Sequence, residues 1–429
     1  MKISRRLAVL SVLALIAAGF VSPVHAKLAP GKRFIVVLRR GAGDPGQVAA
    51  EHARAYGAEI TKVYHSAIDG YAATIPSSRV AALRADPEVL FLTADGQVSA
   101  TDQTMGIGVE RIHAGSGADK ANGVNVAVID TGIDLRHPDL AANIVGGTNC
   151  SSGGPKSYGD VNGHGTHVAG IVAALDNGIG VIGVAPQAKL WSVRVLDKDG
   201  FGSWSDVICG IDFVDSKSPA NGGPIVVANM SLGGYGHDDG NCGLTNGDAM
   251  HMAICRAVGD GVTFTVAAGN SGVDISQALT FVPASYDEVI TASALADSDG
   301  KSCGAGADTI YAPDDTFAYW SNYATSATDL SHMVAAPGVS IYSTYNGGGY
   351  ATLSGTSMAS PFVAGSAALY ISTHSGASPS AVRDALIALG EPVNTNFQSE
   401  CSGKGQKGRY SHTDPSHTHI EVVLRADSL

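Results

Sequence analysis

The chain has 429 residues, which is enough for one small and one large domain, and its formal net charge is −12. The charge is unevenly distributed, with a balance of +5 over residues 1–100 and of −17 over residues 101–429. Because nucleic-acid binding needs a basic surface, so acidic a body excludes DNA or RNA as its main partner. A basic leading part would dock favourably on this body, although the acidity would equally serve solubility alone.

The first 26 residues have the pattern of a secretory signal peptide. Three basic residues precede an apolar run over residues 7–21, and Val24-His25-Ala26 offers a small-residue cleavage site after Ala26. The apolar run is too short for a permanent membrane anchor, and no later run is long enough to span a bilayer. We therefore expect export, by the ordinary secretory route rather than by a twin-arginine signal, of a protein without a membrane anchor.

Export makes the cysteines interpretable, because disulfides form in oxidising compartments. Cys242 and Cys255 are close enough in sequence to be favoured as a pair on loop-closure grounds. Cys209 lies in an apolar helical pattern and would be either a disulfide partner or a buried free thiol. No cysteine has the spacing of a metal site. The six cysteines, which allow up to three disulfides, are Cys150, Cys209, Cys242, Cys255, Cys303 and Cys401.

Residues 33–98 predict a compact unit that begins the ordered chain. It has no cluster of a nucleophile with a base, so its pattern indicates docking rather than chemistry. The polar segment 93–103 is predicted to be a linker and the zone of proteolytic cutting. The predicted order, the ferredoxin-like β-α-β-β-α-β arrangement, has strands at 34–38, 58–65, 71–75 and 89–92 and helices at 48–56 and 78–85.

The larger part alternates strands and helices, which predicts a parallel α/β sheet. An apolar strand over residues 124–129 ends on Asp130, and a later one over residues 262–266 leads to Asn270. A third strand, over residues 226–230, runs into Ser231. Residues at the carboxyl ends of such strands line the ligand crevice, although a single Asp or Asn there is also a common turn residue.

Two predicted helices of small residues begin with chemically active side chains. His164 and His167 open one of them, and Ser357 lies at the start of the other. The unpaired N–H groups and the dipole at a helix N-terminus favour negative charge, although serine there often serves only as a cap. The two histidines lack the third ligand that a zinc motif needs. Pro361 is predicted to be tolerated because it falls in the first turn.

Three stretches in chain order, residues 128–134, 164–170 and 355–361, resemble the active-site motifs of the subtilisin family. The resemblance covers residues 104–390, and residues 33–98 resemble the family's inhibitory propeptide. It implies a subtilisin-like three-layer α/β fold with a mostly parallel central sheet, preceded by a small α+β ferredoxin-like domain. The order Asp, His, Ser is the family's own, whereas the spacing around the serine disfavours a Gly-x-Ser-x-Gly esterase.

The resemblance implies a role for each of four side chains. Ser357 would be the nucleophile, His164 its general base, and Asp130 the acid that orients the histidine. The Asn270 side chain and the backbone N–H of Ser357 would bind the oxyanion that forms during attack.

The resemblance also implies peptide-binding and calcium-binding residues. Trp204 would wall an outer apolar subsite, or would merely pack at a helix start. The calcium loop, in which Gln103 would take part only if processing retains it, has a sequence that a simple tight turn would also explain. The implied substrate-binding residues are Ser231, Leu232, Gly233, Gly200, Gly202 and Trp204. The implied calcium ligands are Gln103, Asp139, Leu175, Asn177, Ile179 and Val181.

The sequence thus predicts a secreted, monomeric serine endopeptidase that cleaves proteins and peptides and is inhibited by its own propeptide until processed. The alternative is a catalytically degenerate scaffold of the same fold that acts as a secreted binding module. Two regions depart from the family pattern, an insertion at 297–327 and a tail whose run 412–419 would be a metal site or a solvated loop. The predicted divisions are a signal peptide at 1–26, a propeptide at 27–100, a catalytic domain at 101–393 and a packed or trailing extension at 394–429.

Overall fold

The structure is a computed structural model of the chain. It describes residues 32–100, 107–114, 120–277, 280–304, 306–392 and 419–429, with the backbone alone for residues 97–100. The predicted signal peptide, Gln103 and residues 394–418 of the predicted extension lie outside the described residues. No helix in the described ranges is both long and apolar enough to cross a membrane.

The small domain is an antiparallel sheet covered by two helices. Its first helix begins where the Asp44 side chain accepts the backbone N–H of Gln47, and it ends at Gly57 in the left-handed conformation. The sheet order β2-β3-β1-β4 confirms the predicted ferredoxin-like unit. The elements are β1 (Lys32–Leu38), α1 (Pro45–Tyr56), β2 (Glu59–Tyr64), β3 (Gly70–Ile75), α2 (Val80–Arg84) and β4 (Val89–Ala94).

A short strand and then the large domain follow. The strands are β5 (Gln97–Ala100), β6 (Asn125–Asp130), β7 (Ile144–Asn149), β8 (Lys189–Arg194), β9 (Phe201–Ser203), β10 (Ile225–Met230), β11 (Leu232–Gly236), β12 (Thr263–Ala267), β13 (Thr280–Val282), β14 (Ile290–Ala296), β15 (Thr316–Phe317), β16 (Met333–Pro337), β17 (Ile341–Tyr345), β18 (Gly349–Leu353) and β19 (Val422–Val423). The helices are α3 (His164–Ala173), α4 (Trp204–Asp215), α5 (Ala249–Gly259), α6 (Ala327–Leu330), α7 (Thr356–Thr373) and α8 (Pro379–Leu389).

The central sheet has the order β19-β16-β14-β12-β10-β6-β8-β7, with every neighbouring pair parallel and β15 antiparallel against β14. Alternate residues of β6 serve the two faces of this sheet. Val126 and Val128 belong to the core beneath α3, α7 and α8, whereas Ala127 and Ile129 belong to the core beneath α4 and α5. The predicted three-layer fold with a mostly parallel sheet is confirmed, and strand β19 of the tail joins its edge.

The described part of the segment predicted to be a linker, residues 93–100, is mostly strand. Its first two residues complete β4, and β5 pairs antiparallel with β11 on one side and with β9 on the other. This pairing is made by main-chain groups, which do not require an alternating side-chain pattern. The sequence pattern therefore gave no sign of a strand there.

The helix that carries Ser357 also differs from the prediction. Because α7 begins at Thr356, Pro361 is its sixth residue and lies inside the helix, beyond the first turn. A proline lacks the N–H that would bond to the carbonyl four residues earlier, which here is that of Ser357. The Ser231 hydroxyl donates to this carbonyl oxygen at 2.7 Å and so replaces the missing partner.

Disulfides cross-link the large domain. The predicted pair Cys242–Cys255 is confirmed. Cys209 pairs with Cys150, which directly follows β7, so the alternative interpretation of Cys209 as a free thiol is wrong. The sequence could not predict this pair, because the two cysteines are 59 residues apart and come together only in the folded protein. Cys303 of the insertion is also disulfide-bonded, and no free cysteine occurs among the described residues.

A buried ion cluster anchors the insertion at 297–327. The Arg111 side chain is fully buried and donates through Nε to Asp315 Oδ1 at 2.9 Å and through a terminal nitrogen to Glu391 Oε2 at 3.2 Å. The Asp297 carboxylate lies 3.6 Å from the same guanidinium. A buried charge needs such partners, so this arginine ties three distant segments together.

A second buried acid lies at the end of α4. Asp215 is fully buried, and burial together with the nearby carboxylate of Asp260 raises the pKa of its carboxyl to about 7, although Arg256 acts in the opposite direction. The folded pKa therefore exceeds the unfolded value of about 3.9. Stability from this group is complete below about pH 4 and is lost as the pH rises through 7.

We expect the substitution Asp215→Asn to raise the melting temperature relative to the parent at pH 8 and to leave it unchanged near pH 4. The reason is that asparagine has no charge to desolvate at high pH. Calorimetry at several pH values in a Ser357→Ala background, which removes the predicted nucleophile, measures the difference. The exposed Asp384→Asn serves as the control, and a pH-independent difference for Asp215→Asn would contradict the prediction.

Candidate active site

Asp130 and His164 meet at the carboxyl edge of the central sheet. Asp130 is the last residue of β6, and both its oxygens lie close to His164 Nδ1, at 2.8 and 2.9 Å. Since a carboxylate only accepts, Nδ1 donates and Nε2 carries the lone pair of a neutral ring. A Cβ on Gly165 would lie 2.2 Å from the Gly132 carbonyl oxygen, so glycine is needed for α3 to approach β6 this closely.

His167, the second histidine of this motif, has a different environment. It is fully buried, and its Nε2 lies 2.9 Å from the carbonyl oxygen of Ile341. Burial lowers the pKa of its ring to about 3, and the charge of His164 acts in the same direction. His167 is therefore a neutral packing residue that joins α3 to β17.

Ser357 lies in the first turn of α7, which packs along α3. Its side chain is buried, and its Oγ donates to the carbonyl oxygen of Ser231 at 3.2 Å. Together with the Ser231 hydroxyl bond to the Ser357 carbonyl, this makes a reciprocal link between the start of β11 and the start of α7. This contact between Ser231 and the helix was not predicted.

Asn270 follows β12 and is fixed by the residue before Ser357. Its Oδ1 accepts both the backbone N–H and the hydroxyl of Thr356, each at 2.9 Å. The hydroxyl oxygen of Thr356 in turn accepts the backbone N–H of Gly269 at 2.9 Å. These bonds occupy the carbonyl end of the Asn270 amide and so direct its NH₂ group away from Thr356. Thr356 was not among the predicted site residues, although its place beside Ser357 was a signal.

The predicted substrate-binding strands hold a segment of the same chain. Ala100 of β5 lies opposite Leu232, the next pair joins Ser99 to Gly233, and Val98 lies opposite Gly202. Strand β5 is thus the middle of a three-stranded antiparallel ladder. Gly200, in the left-handed conformation, donates to the Asp197 carbonyl in the turn before β9.

Trp204 begins α4 and covers the chain just before β5. Its backbone N–H donates to the carbonyl oxygen of Gly96 at 2.8 Å, and a Cβ on Gly96 would lie 2.3 Å from the indole nitrogen. Trp204 also lines a cavity of about 210 Å³ together with Tyr235, Met250 and Val282. Trp204 therefore packs at a helix start and lines a cavity beside β5, whereas its role in a substrate subsite stays a prediction.

The small domain docks on α4 and α5 through polar and apolar contacts. Asp212 of α4 accepts the backbone N–H groups of Ser66 and Ala67 at 2.7 and 2.9 Å. Lys62 forms an ion pair with Asp206 at 2.8 Å, in line with the opposite charge balances of the two parts. The buried apolar contacts join Ile35, Val37, Tyr64 and Ile68 to Ile208, Ile211, Met250 and Ala253.

The predicted calcium loop contains an oxygen that lacks a hydrogen-bond partner. Asp139 is fully buried, and its Oδ2 accepts the N–H of Val181 at 3.0 Å and the hydroxyl of Tyr350 at 3.2 Å, whereas its Oδ1 has no hydrogen-bond partner. A Cβ on Gly180 would fill this cradle, since it would lie 2.4 Å from Asp139 Oδ2. Asn177 Oδ1 accepts the N–H of Ile179 at 3.0 Å in the same loop.

The oxygen set of this loop fits Ca²⁺, which takes carboxylate, amide and backbone carbonyl ligands. Leu175, whose N–H donates to the Asp139 carbonyl, begins the loop. Gln103, the sixth predicted ligand, lies outside the described residues.

Comparison with known proteins covers both domains. The model described as "Subtilase family" matches residues 121–401, and that described as "Peptidase inhibitor I9" matches residues 33–101. The two matched regions coincide with the large and the small domain.

Individual relatives agree with the family models. Subtilisin E of Bacillus subtilis (strain 168) is 36% identical over 333 residues, which cover 77% of each chain. The thermostable alkaline protease of Halalkalibacterium halodurans is 34% identical over 373 residues, covering 86% of this chain and 88% of the relative. The crystal structure of a cold adapted subtilisin-like serine proteinase has a TM-score of 0.51 at 29% identity and covers 72% of this chain and 91% of its own.

Proposed function

Because the chain belongs to the subtilase family and is a subtilisin-like serine peptidase with an inhibitor propeptide, we propose that it is a secreted endopeptidase made as a self-inhibited precursor. The observation that supports this most is the position of β5 between β9 and β11. An extended peptide is bound there by main-chain groups, and the flanking strand β11 directly follows Ser231, the residue that contacts Ser357.

We assign the chemistry to Asp130, His164 and Ser357. Ser357 Oγ attacks the scissile carbonyl while His164 Nε2 takes its proton, and the histidine then delivers that proton to the leaving amine. Asp130 keeps Nδ1 protonated and stabilises the imidazolium. Water then attacks the acyl-enzyme while His164 takes the proton of the water, and His164 returns that proton to Ser357 as the product acid leaves. The short Asp130–His164 contacts support this assignment.

Negative charge on the reacting oxygen would be bound by two donors. One is the Asn270 NH₂ group, which the bonds from Thr356 to Asn270 Oδ1 leave directed away from that residue. The other is the backbone N–H of Ser357, in the first turn of α7, where the helix dipole acts in the same direction.

A substrate would replace β5 in the ladder once the propeptide is removed. Leu232 and Gly233 would pair with one edge of the peptide, and Gly200 and Gly202 with the other. The pocket walled by Trp204 lies beside the amino-terminal end of that strand, so it would receive a bulky side chain upstream of the cleaved bond.

The loop around Asp139 would hold a structural Ca²⁺. Ligands from Asp139, Asn177 and the carbonyls of Leu175, Ile179 and Val181 would surround it, with Gln103 added where it is retained. The ion would neutralise the buried carboxylate of Asp139 and would join residues 175–181 to the segment that contains Asp139.

The remaining assignments follow the sequence. Residues 1–26 would direct secretion, residues 27–100 would be the propeptide, and residues 101–393 the catalytic domain, with residues 394–429 as an extension. The mature enzyme would act as a monomer on proteins and peptides. No observation favours a degenerate binding scaffold.

Precursor processing tests the proposed function. We expect wild-type precursor to be cut between the two domains and Ser357→Ala to remain full length, because the nucleophile is absent. Gel analysis and intact mass measure this, and acylation of wild type by a serine-directed phosphonate provides a second readout. The degenerate scaffold would be supported if both proteins stay uncut and wild type is not acylated.

Asn270→Asp tests the proposed oxyanion site. Aspartate keeps the acceptor for Thr356 but replaces the NH₂ donor with a negative charge. We expect kcat to fall at least about 10²–10³-fold, the loss known for removing such a donor in subtilisin, with little change in KM. Steady-state kinetics on a peptide amide measure both constants. A kcat close to wild type would show that Asn270 makes no such contact.

Removal of calcium is expected to destabilise the mature enzyme. When Ca²⁺ exceeds its Kd about 100-fold, binding should add about 2–3 kcal/mol of stability. Thermal inactivation of chelated protein, with and without added Ca²⁺, measures the effect. Asp139→Asn should abolish the response to Ca²⁺, while the exposed control Asp384→Asn should keep it. An equal response in Asp139→Asn would contradict the assignment.

A further inference from the structure

The loop between β11 and α5, residues 237–248, contains a cluster of polar side chains outside the proposed active site. Asp238 and Asp239 lie in this loop, and His251 lies in the first turn of α5. One ligand atom from each comes within 4.8 Å of the other two. Nothing in the proposed peptide hydrolysis uses this cluster.

The orientation of His251 is fixed from two sides. Its side chain is fully buried, and its Nε2 lies 2.8 Å from Glu288 Oε2. The ring of Tyr286 stacks on it with a centroid distance of 4.0 Å and an angle of 3°. Since a carboxylate only accepts, Nε2 carries the proton, and a neutral His251 presents the lone pair of Nδ1 to the loop.

This Nδ1 faces two carboxylates and makes no hydrogen bond. It lies 3.4 Å from Asp238 Oδ1 and 3.4 Å from Asp239 Oδ1. A ring lone pair at 3.4 Å from each of two carboxylate oxygens is unfavourable unless a proton on Nδ1 or another cation lies between them. A proton on Nδ1 would favour a charge-assisted bond of about 2.7–2.9 Å, which is shorter than either contact.

A metal ion explains the spacing better. When a tetrahedral ion binds nitrogen and oxygen ligands at about 2.1 Å, neighbouring ligand atoms are separated by about 3.4 Å. A histidine nitrogen with carboxylate oxygens suits Zn²⁺, whereas Ca²⁺ takes oxygen ligands alone.

We propose that Asp238, Asp239 and His251 form a binding site for a divalent transition-metal ion of the Zn²⁺ type, with Glu288 as the residue that positions the histidine. A carboxylate on the far ring nitrogen is the usual support for a metal-bound histidine. The fourth position is open to water, and the 20% exposed side chain of Asp238 gives an entry path.

Backbone groups hold both carboxylates in place. Asp239 Oδ1 accepts the N–H groups of Asn241 and Gly243, each at 2.9 Å, and Asp238 Oδ1 accepts that of Gly240 at 3.0 Å. The oxygens are therefore in position before any ion binds, which lowers the entropic cost of binding.

The site would stabilise a functionally placed loop. Asn246 and Gly247 of this loop line the cavity shared with Trp204, and Cys242 and Leu244 face the small domain. An ion that joins the loop to α5 would therefore stabilise one side of the cavity that Trp204 lines. It would also stabilise part of the surface on which the small domain packs.

Metal titration of the full-length Ser357→Ala precursor tests the proposal. The protein is stripped of metal, kept in excess Ca²⁺ so that the Asp139 loop is saturated, and titrated with Co²⁺ and separately with Zn²⁺. We expect a single Co²⁺ per chain with the intense visible absorption of a tetrahedral site, displaced by Zn²⁺. Calorimetry gives the affinity, and Zn²⁺ should raise the melting temperature.

Substitutions locate the ion. His251→Asn and Asp238→Asn should abolish the Co²⁺ absorption band, and Glu288→Gln should weaken binding about 10–100-fold. The matched control is His237→Asn, which removes an exposed histidine of the same loop and should leave binding unchanged. Circular dichroism checks folding, and the partly exposed Asp238 decides the matter if the His251 variant misfolds. Absence of the band in the parent, or its persistence in Asp238→Asn, would overturn the proposal and leave a protonated histidine in the cluster.

Discussion

The main-chain ladder of β9, β5 and β11 is the interaction on which the rest of the site depends. It requires two strand edges held open at a fixed separation, and glycine contributes to this geometry. A Cβ on Gly233 would lie 2.4 Å from the Phe281 ring and 2.7 Å from the Val282 carbonyl oxygen, so no larger residue fits there. Because such a ladder binds backbone rather than side chains, it places little demand on the side chains of the segment that it holds.

The ladder is joined to the proposed chemistry by Ser231 and Ser357. Each of these serines donates its hydroxyl to the carbonyl of the other, at 2.7 and 3.2 Å. Pro361 lacks the N–H that a regular helix would direct at the Ser357 carbonyl, and the Ser231 hydroxyl donates to that carbonyl oxygen. These two bonds join the start of α7, where the proposed nucleophile lies, to the residue that directly precedes β11.

The sequence predicted the parts of the structure that depend on local pattern. The central strands β6, β10 and β12 were recognisable as apolar runs, and Asp130 and Asn270, at or just after the ends of two of them, lie at the carboxyl edge of the parallel sheet. Strand β5 was missed because backbone pairing leaves no side-chain period. The Cys150–Cys209 bond was left open because it depends on how a strand and a helix pack. Likewise, the distances between His251 and its carboxylates come from tertiary packing alone.

Two long surface segments, residues 237–248 and the insertion at 297–327, have their own cross-links. The insertion at 297–327 is tied by the disulfide bond of Cys303 and by Arg111, whereas residues 237–248 are tied by Cys242–Cys255 and by the backbone bonds to Asp239. A long loop buries little apolar surface, so specific bonds must offset the entropy of ordering it. At both segments a buried basic side chain, Arg111 or His251, lies among carboxylates. This arrangement lets an acidic protein retain buried carboxylates without leaving their charge uncompensated.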